Sequence, residues 1–161
     1  MTDFFNKADL SRNDAEKIIS ETLNNCDDGE LYLENSKSES ILLDDGKIKN
    51  STYSSDLGYG LRAVTGEVIA YSHSNEISKN SLKQSAANLS STLKSKKGIY
   101  NHKIPKTNEQ FYKSINPIEE KSLQSKLELL KEVNNYARSK SGTVHQVTAS
   151  FSGEHKSIEI I

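Results

Sequence analysis

The sequence predicts an α+β fold, in which consecutive hairpins form a largely antiparallel sheet and about three helices pack on one face of it. Two observations lead to this prediction. Short segments of alternating apolar and polar residues are joined by Asp45-Gly46 and Thr65-Gly66, which favour hairpin turns. Elsewhere apolar residues recur every three or four positions, which indicates amphipathic helices. The length of 161 residues suits one domain.

The first predicted helix covers residues 10–23. Ser11 is a suitable N-cap, and Asp14 lies in the first turn. One face of the helix carries the apolar residues Ala15, Ile18, Ile19 and Leu23. After a turn at residues 26–29, Leu31 and Leu33 alternate with polar neighbours, which predicts a half-buried strand.

Two hairpins are predicted next. In the first, strands at residues 40–44 and 47–53 flank Asp45-Gly46, because a type I′ turn needs positive φ angles. The resulting register places Ile41, Leu43 and Ile48 on the buried face.

The second predicted hairpin is centred on Thr65-Gly66. Its register pairs Ala63 with Val68 on the buried face. On the opposite face Gly60 pairs with Tyr71, whose ring can cover the bare backbone that a glycine leaves in a strand.

A second helix is predicted over residues 78–93, with Ser78 as its cap. Its apolar face carries Leu82, Ala86, Leu89 and Leu93, and its lysine and serine positions lie outside that stripe. Residues 94–116 are polar and irregular, so we predict a long surface loop there.

The third predicted helix begins with Asn116 as N-cap and Pro117 at the first helical position. Its apolar face carries Leu123, Leu127, Leu130, Val133 and Ala137, and Gly142 can end it. A turn at Ser152-Gly153 then separates two predicted strands. The alternating residues of these strands are Val147, Ala149 and Phe151, then Ile158 and Ile160. Because a domain seldom finishes on such a strand, we expect this chain to be the front portion of a longer protein.

Composition excludes several classes of partner. The chain has 21 basic and 22 acidic residues, and its net charge of -1 favours neither nucleic acid nor an anionic membrane. No apolar run is long enough to span a bilayer, and the first residues lack the pattern of a signal peptide. The single Cys26 cannot form an internal disulfide, in agreement with a reducing compartment. We therefore predict a cytoplasmic protein.

Residues suited to catalysis or metal binding are scattered along the chain. A zinc peptidase needs ligands at fixed close spacing, whereas each histidine here is isolated: His73, His102, His145 and His155. Glu154 next to His155 fits a solvated turn better than a ligand pair. Acidic neighbours of Cys26 disfavour a nucleophilic thiolate, so a buried or spectator thiol is expected. The sequence therefore predicts no catalytic and no metal-binding residue in this chain.

The segment from Gly29 to Ser85 has a recognisable order: an acidic hairpin, a glycine-containing strand pair and a serine-capped helix. A G-x-G-x-R-A-[IV]-x-G-E pattern is formed by Gly58, Gly60, Arg62, Ala63, Val64, Gly66 and Glu67. Further matching positions are Tyr71, Ile77, Leu82, Gln84, Ser85 and Ala86, and the VTASFSG run at residues 147–153. This segment resembles the opening of the TldD/PmbA family of zinc metallopeptidases. The resemblance covers essentially the whole chain, but only about the first third of such a protein.

The resemblance implies the N-terminal domain of a cytoplasmic zinc metallopeptidase that cleaves unfolded or small peptides, closer to the TldD than to the PmbA branch. The HExxxH zinc motif of TldD members lies further along the chain and does not occur here, which implies that this chain alone is inactive. The implied partners are the missing C-terminal catalytic domain, a PmbA/TldE-like subunit and the peptide substrate.

Arg62, Glu67 and Tyr71 are the candidate site residues within this pattern. Arg62 and Glu67 can form a surface ion pair worth about 0 to 1 kcal/mol. Alternatively, their face meets the catalytic domain, a second subunit or a bound peptide. For the whole chain, the competing hypothesis is a non-catalytic module whose exposed strand edges add a peptide or partner strand. A third hypothesis is a degraded remnant.

Overall fold

The computed structural model describes residues 4–5, 9–93, 113 and 115–161. It confirms the α+β fold class, with one antiparallel sheet of four strands in the order β3-β2-β1-β4. The strands are β1 (Asp28–Asp44), β2 (Lys47–Thr65), β3 (Val68–Ser74) and β4 (Thr148–Ile160). The helices are α1 (Arg12–Leu23), α2 (Lys79–Leu93), α3 (Pro117–Glu120) and α4 (Leu123–Ser139). None of these helices is both long enough and apolar enough to cross a lipid bilayer.

The predicted helix caps are confirmed. The Ser11 side chain accepts a hydrogen bond from the backbone N–H of Asp14 at the start of α1. Ser78 accepts from the backbone of Ser81 at 3.1 Å before α2. Asn116 caps α3 through its side chain, with proline next to it. These caps satisfy backbone donors that a helix leaves unpaired at its N-terminus.

The strands are longer than predicted. β1 runs without a break through the polar residues 34–39, and β4 continues through Ser152-Gly153, where a turn was wrongly predicted. Backbone pairing explains both differences. Leu31 and Ile161 exchange two hydrogen bonds of 2.8 and 2.9 Å near one end of β1, and Asp45 N–H donates to Val147 O near the other. Main-chain pairing therefore extends the strands through polar segments.

The first hairpin turn is confirmed, with φ angles of 53° at Asp45 and 74° at Gly46. Ile41 and Leu43 are buried as predicted. The prediction that Ile48 is buried is wrong, since 47% of its surface is exposed. Leu130 of α4 packs on Ile41 and Leu43, and this buried cluster does not include Ile48.

The register of the second hairpin differs from the prediction by two positions. Ala63 pairs with Ala70 instead of Val68, and Gly60 pairs with His73 instead of Tyr71. The turn lies one residue later than predicted, because Gly66 supplies the positive φ angle of 59°. A two-residue shift keeps every side chain on its predicted face.

The predicted third helix is two helices. Lys121 is extended between α3 and α4, and the side chain of Ser122 caps α4 by accepting from the Ser125 N–H. The new start changes which face is buried. Leu123 and Val133 are exposed, whereas the buried positions of α4 are Lys126, Leu130 and Asn134.

The prediction that the serines of α2 lie outside its apolar face is wrong for one residue. Ser85 is buried, and its hydroxyl lies 2.9 Å from the Tyr59 hydroxyl and 3.0 Å from that of Ser72. Hydrogen bonds to these partners offset the free-energy cost of burying the Ser85 hydroxyl. The predicted loop at residues 94–116 falls almost wholly outside the described residues.

The chain divides into two compact units. The first unit comprises Met1–Asn35, Asp56–Lys113 and Ser157–Ile161, and the second comprises Ser36–Ser55 and Ser114–Lys156. In the first unit α1 and α2 share an apolar core with one face of its strands. In the second unit α4 packs on Ile41 and Leu43 of β1.

Candidate functional site

One sheet face of the first unit points away from its apolar core. Leu61, Ala63 and Ala70 are buried on the core side. Because side chains alternate along a strand, Arg62 of β2 and Tyr71 of β3 project from the opposite face. We call this surface, formed around Gly58, Gly60, Arg62, Ile69, Tyr71 and His73, the open face.

Two of the three predicted site residues are cross-strand partners on the open face, since Arg62 of β2 pairs with Tyr71 of β3. The ionic partner of Arg62 is Asp28, 2.9 Å from its Nη1, so the predicted ion pair between Arg62 and Glu67 is wrong. Glu67 is exposed in the turn between β2 and β3. Asp28 of β1 is within reach of Arg62 because β1 lies beside β2 in the sheet.

Tyr71 lies over the glycine position, as the sequence predicted, although Gly60 is its diagonal neighbour and not its direct partner. A Cβ atom built on Gly60 would lie 3.0 Å from two ring carbons of Tyr71. Tyr71 also stacks on His73, with ring centroids 5.9 Å apart. Glycine is therefore required at position 60 for the ring to pack against the strand.

A cleft of about 360 Å³ adjoins this tyrosine within the first unit. Its described lining residues are Tyr32, Glu34, Asp56, Leu57, Gly58, Tyr59, Gly60, Tyr71 and Asn75. At Gly58 a Cβ atom would lie 2.8 Å from the backbone oxygen of Ser74. The two glycines of the G-x-G motif thus let a backbone oxygen and an aromatic ring come close to β2.

Two acidic side chains, Glu34 and Asp56, line the cleft. The Tyr32 hydroxyl donates a 2.6 Å hydrogen bond to Oε2 of Glu34. Burial raises the pKa of the Tyr32 hydroxyl to about 12, and the hydrogen bond to Glu34 adds to this effect. Tyr32 is therefore a neutral donor at neutral pH, and Glu34 and Asp56 bring negative charge to the cleft.

Sequence reasoning missed Tyr32, Glu34 and Asp56 as site residues. The alternation of Leu31 and Leu33 already placed Tyr32 and Glu34 on the face away from the core. Their position beside the G-x-G motif depends on β1 pairing with β2 along its length, which the polar residues between them concealed.

The described residues do not fit a zinc site. No group of three or more histidine, cysteine or acidic side chains lies close enough to hold a metal ion in residues 9–93 and 115–161. His73, His145 and His155 stand apart from one another in the chain, and His102 falls outside the described residues. Cys26 is buried, as expected, and its sulfur lies 3.9 Å from the backbone oxygen of Thr22.

Comparison with known proteins gives both sequence and fold relatives. Residues 29–93 match a family model described as PmbA/TldA metallopeptidase domain 1. A metalloprotease TldD homologue of Buchnera aphidicola is 37% identical over 133 residues, covering 82% of this chain and 28% of that protein. The corresponding protein of Haemophilus influenzae is 33% identical over 143 residues, covering 85% of this chain and 29% of that protein.

The fold also resembles a solved structure, TldE from Thermococcus kodakarensis. The TM-score is 0.59 at 14% identity, covering 89% of this chain and 33% of that one. In the sequence comparisons, this chain spans less than a third of the length of the TldD homologues that it matches. The family model and the sequence relatives agree with each other, and the chain belongs to the TldD/PmbA family, corresponding to the N-terminal domain of its members.

Proposed function

We propose that this chain is the N-terminal domain of a TldD-like cytoplasmic zinc metallopeptidase that cleaves unfolded or small peptides. The observation that carries the proposal is the identity of 33 to 37% with proteins named metalloprotease TldD homologues. In this proposal the zinc ligands belong to a C-terminal catalytic domain, and this chain contributes to assembly and substrate contact. The absence of an HExxxH motif from the sequence supports that division of roles.

The proposed partner of the assembled enzyme is a related PmbA/TldE-like subunit. The likeness of this fold to TldE supports a pair of subunits that share the same N-terminal architecture. The open face is the proposed contact surface for the catalytic domain, because Tyr71 exposes 64% of its surface there and Ile69 exposes 63%.

Metal content and peptide cleavage test this division of roles. The 161-residue chain is assayed alone and then mixed with the separately expressed segment encoded directly downstream. We expect stoichiometric zinc and cleavage only in the mixture. Zinc binding or cleavage by the chain alone would contradict the assignment, and His73, His145 and His155 would then be the first ligands to test.

Replacement of Arg62 tests the open face separately. In a full-length relative, alanine at the position of Arg62 removes the side chain that pairs with Asp28 in this chain, and we expect weaker assembly or slower peptide cleavage. Alanine at the position of Arg138 is the matched control, because Arg138 pairs with Asp45 in the second unit. Unchanged assembly and unchanged cleavage in the Arg62 variant would refute a contact role for this face.

A non-catalytic binding module is the alternative function, and the sheet edges support it. β3 and β4 are the outer strands of the described sheet. A strand edge can add an extended peptide by main-chain hydrogen bonds. This alternative predicts capture of extended peptides without zinc and without cleavage, even when the downstream segment is present.

A further inference from the structure

We draw no further inference here: the strongest candidate, the exposed apolar stripe that Leu129, Val133 and Tyr136 form along α4, carries none, because nothing in the described part of the structure shows what covers it.

Discussion

The two units of the chain are stabilised in different ways. In the first unit, sixteen buried residues, most of them aliphatic, form the described core. In the second unit the described buried apolar cluster consists of Ile41, Leu43 and Leu130, with Leu127, Ala149 and Phe151 partly buried around it. An apolar core accounts for the stability of the first unit. The described apolar cluster of the second unit is too small to account for its stability in the same way.

A buried ion pair adds to the small core of the second unit. Lys126 of α4 exposes 5% of its side chain and Glu39 of β1 exposes 10%. The ammonium group of Lys126 lies 2.5 Å from Glu39 and donates a 2.6 Å hydrogen bond to the backbone oxygen of Ile118. It also lies 5.7 Å from the ring centroid of Phe151. One lysine therefore connects α4 to α3 and β1 through hydrogen bonds and to β4 through a cation–π contact.

The largest expected effect is that of Lys126→Met. The substitution leaves Glu39 buried without its cation, and breaking such a pair costs about 3 to 5 kcal/mol of unfolding free energy. Urea unfolding measures the total, and hydrogen exchange should show the loss of protection mainly at amides of the second unit. Lys131→Met, at an exposed position of the same helix, is the control.

Removing both charges sharpens this test. Because the isolated carboxylate is the main cost, Lys126→Met combined with Glu39→Leu should recover much of the stability lost in the single variant. A loss below about 1 kcal/mol in Lys126→Met would contradict the comparison, since that is the range of a solvated surface pair.

The next effect is expected in the first unit from Leu82→Ala. Leu82 of α2 is fully buried, so the substitution removes apolar contacts and leaves a cavity, at a cost of about 2 to 5 kcal/mol. Thermal and urea unfolding measure it. Leu129→Ala is the matched control, because Leu129 lies half exposed on α4, and we expect a change within about 0.5 kcal/mol. Equal losses in both variants would show that burial does not distinguish these positions.

The difference between the units also explains what the sequence could predict. In the first unit the cap at Ser11 and most of the apolar faces of α1 and α2 follow from spacing and residue type, whereas the buried Ser85 and the register of the second hairpin do not. In the second unit the apolar pattern of α4 was misleading, since Lys126 and Asn134 are buried while Val133 is exposed. A buried lysine cannot be recognised before its partner on another element is known.

The predicted strand lengths are wrong for a related reason. The sequence predicts one strand around Leu31 and Leu33 and a separate one from Ser40, and it predicts a turn at Ser152-Gly153, since serine and glycine favour turns. In the sheet a Cβ atom on Gly153 would lie 3.8 Å from Oε1 of Glu39, so this glycine lies beside the buried ion pair. For the site, alternation alone placed Arg62 and Tyr71 on one face, but the cleft needed the pairing of β1 with β2.

The smallest expected effect is a pH dependence at Asp44 in the second unit. Hydrogen bonds from Gln146 and then Thr148 hold the pKa of the Asp44 carboxyl below its usual 3.8. A carboxylate with a lowered pKa stabilises the folded state above its unfolded pKa, and this contribution is lost as the pH falls through the folded pKa. Gln146→Ala should therefore raise the pKa of Asp44 toward 3.8 and slightly lower stability at neutral pH, with a smaller difference in acid.

A titration of the Asp44 carboxyl carbon by NMR measures this shift directly. Gln124→Ala is the control, because the Gln124 amide binds Glu128 on α4 and lies outside the hydrogen bonds of Asp44. If Asp44 titrates at the same pH in the native chain and in Gln146→Ala, the Gln146 hydrogen bond does not favour the charged form. The lowered pKa of Asp44 would then rest on the hydrogen bond from Thr148.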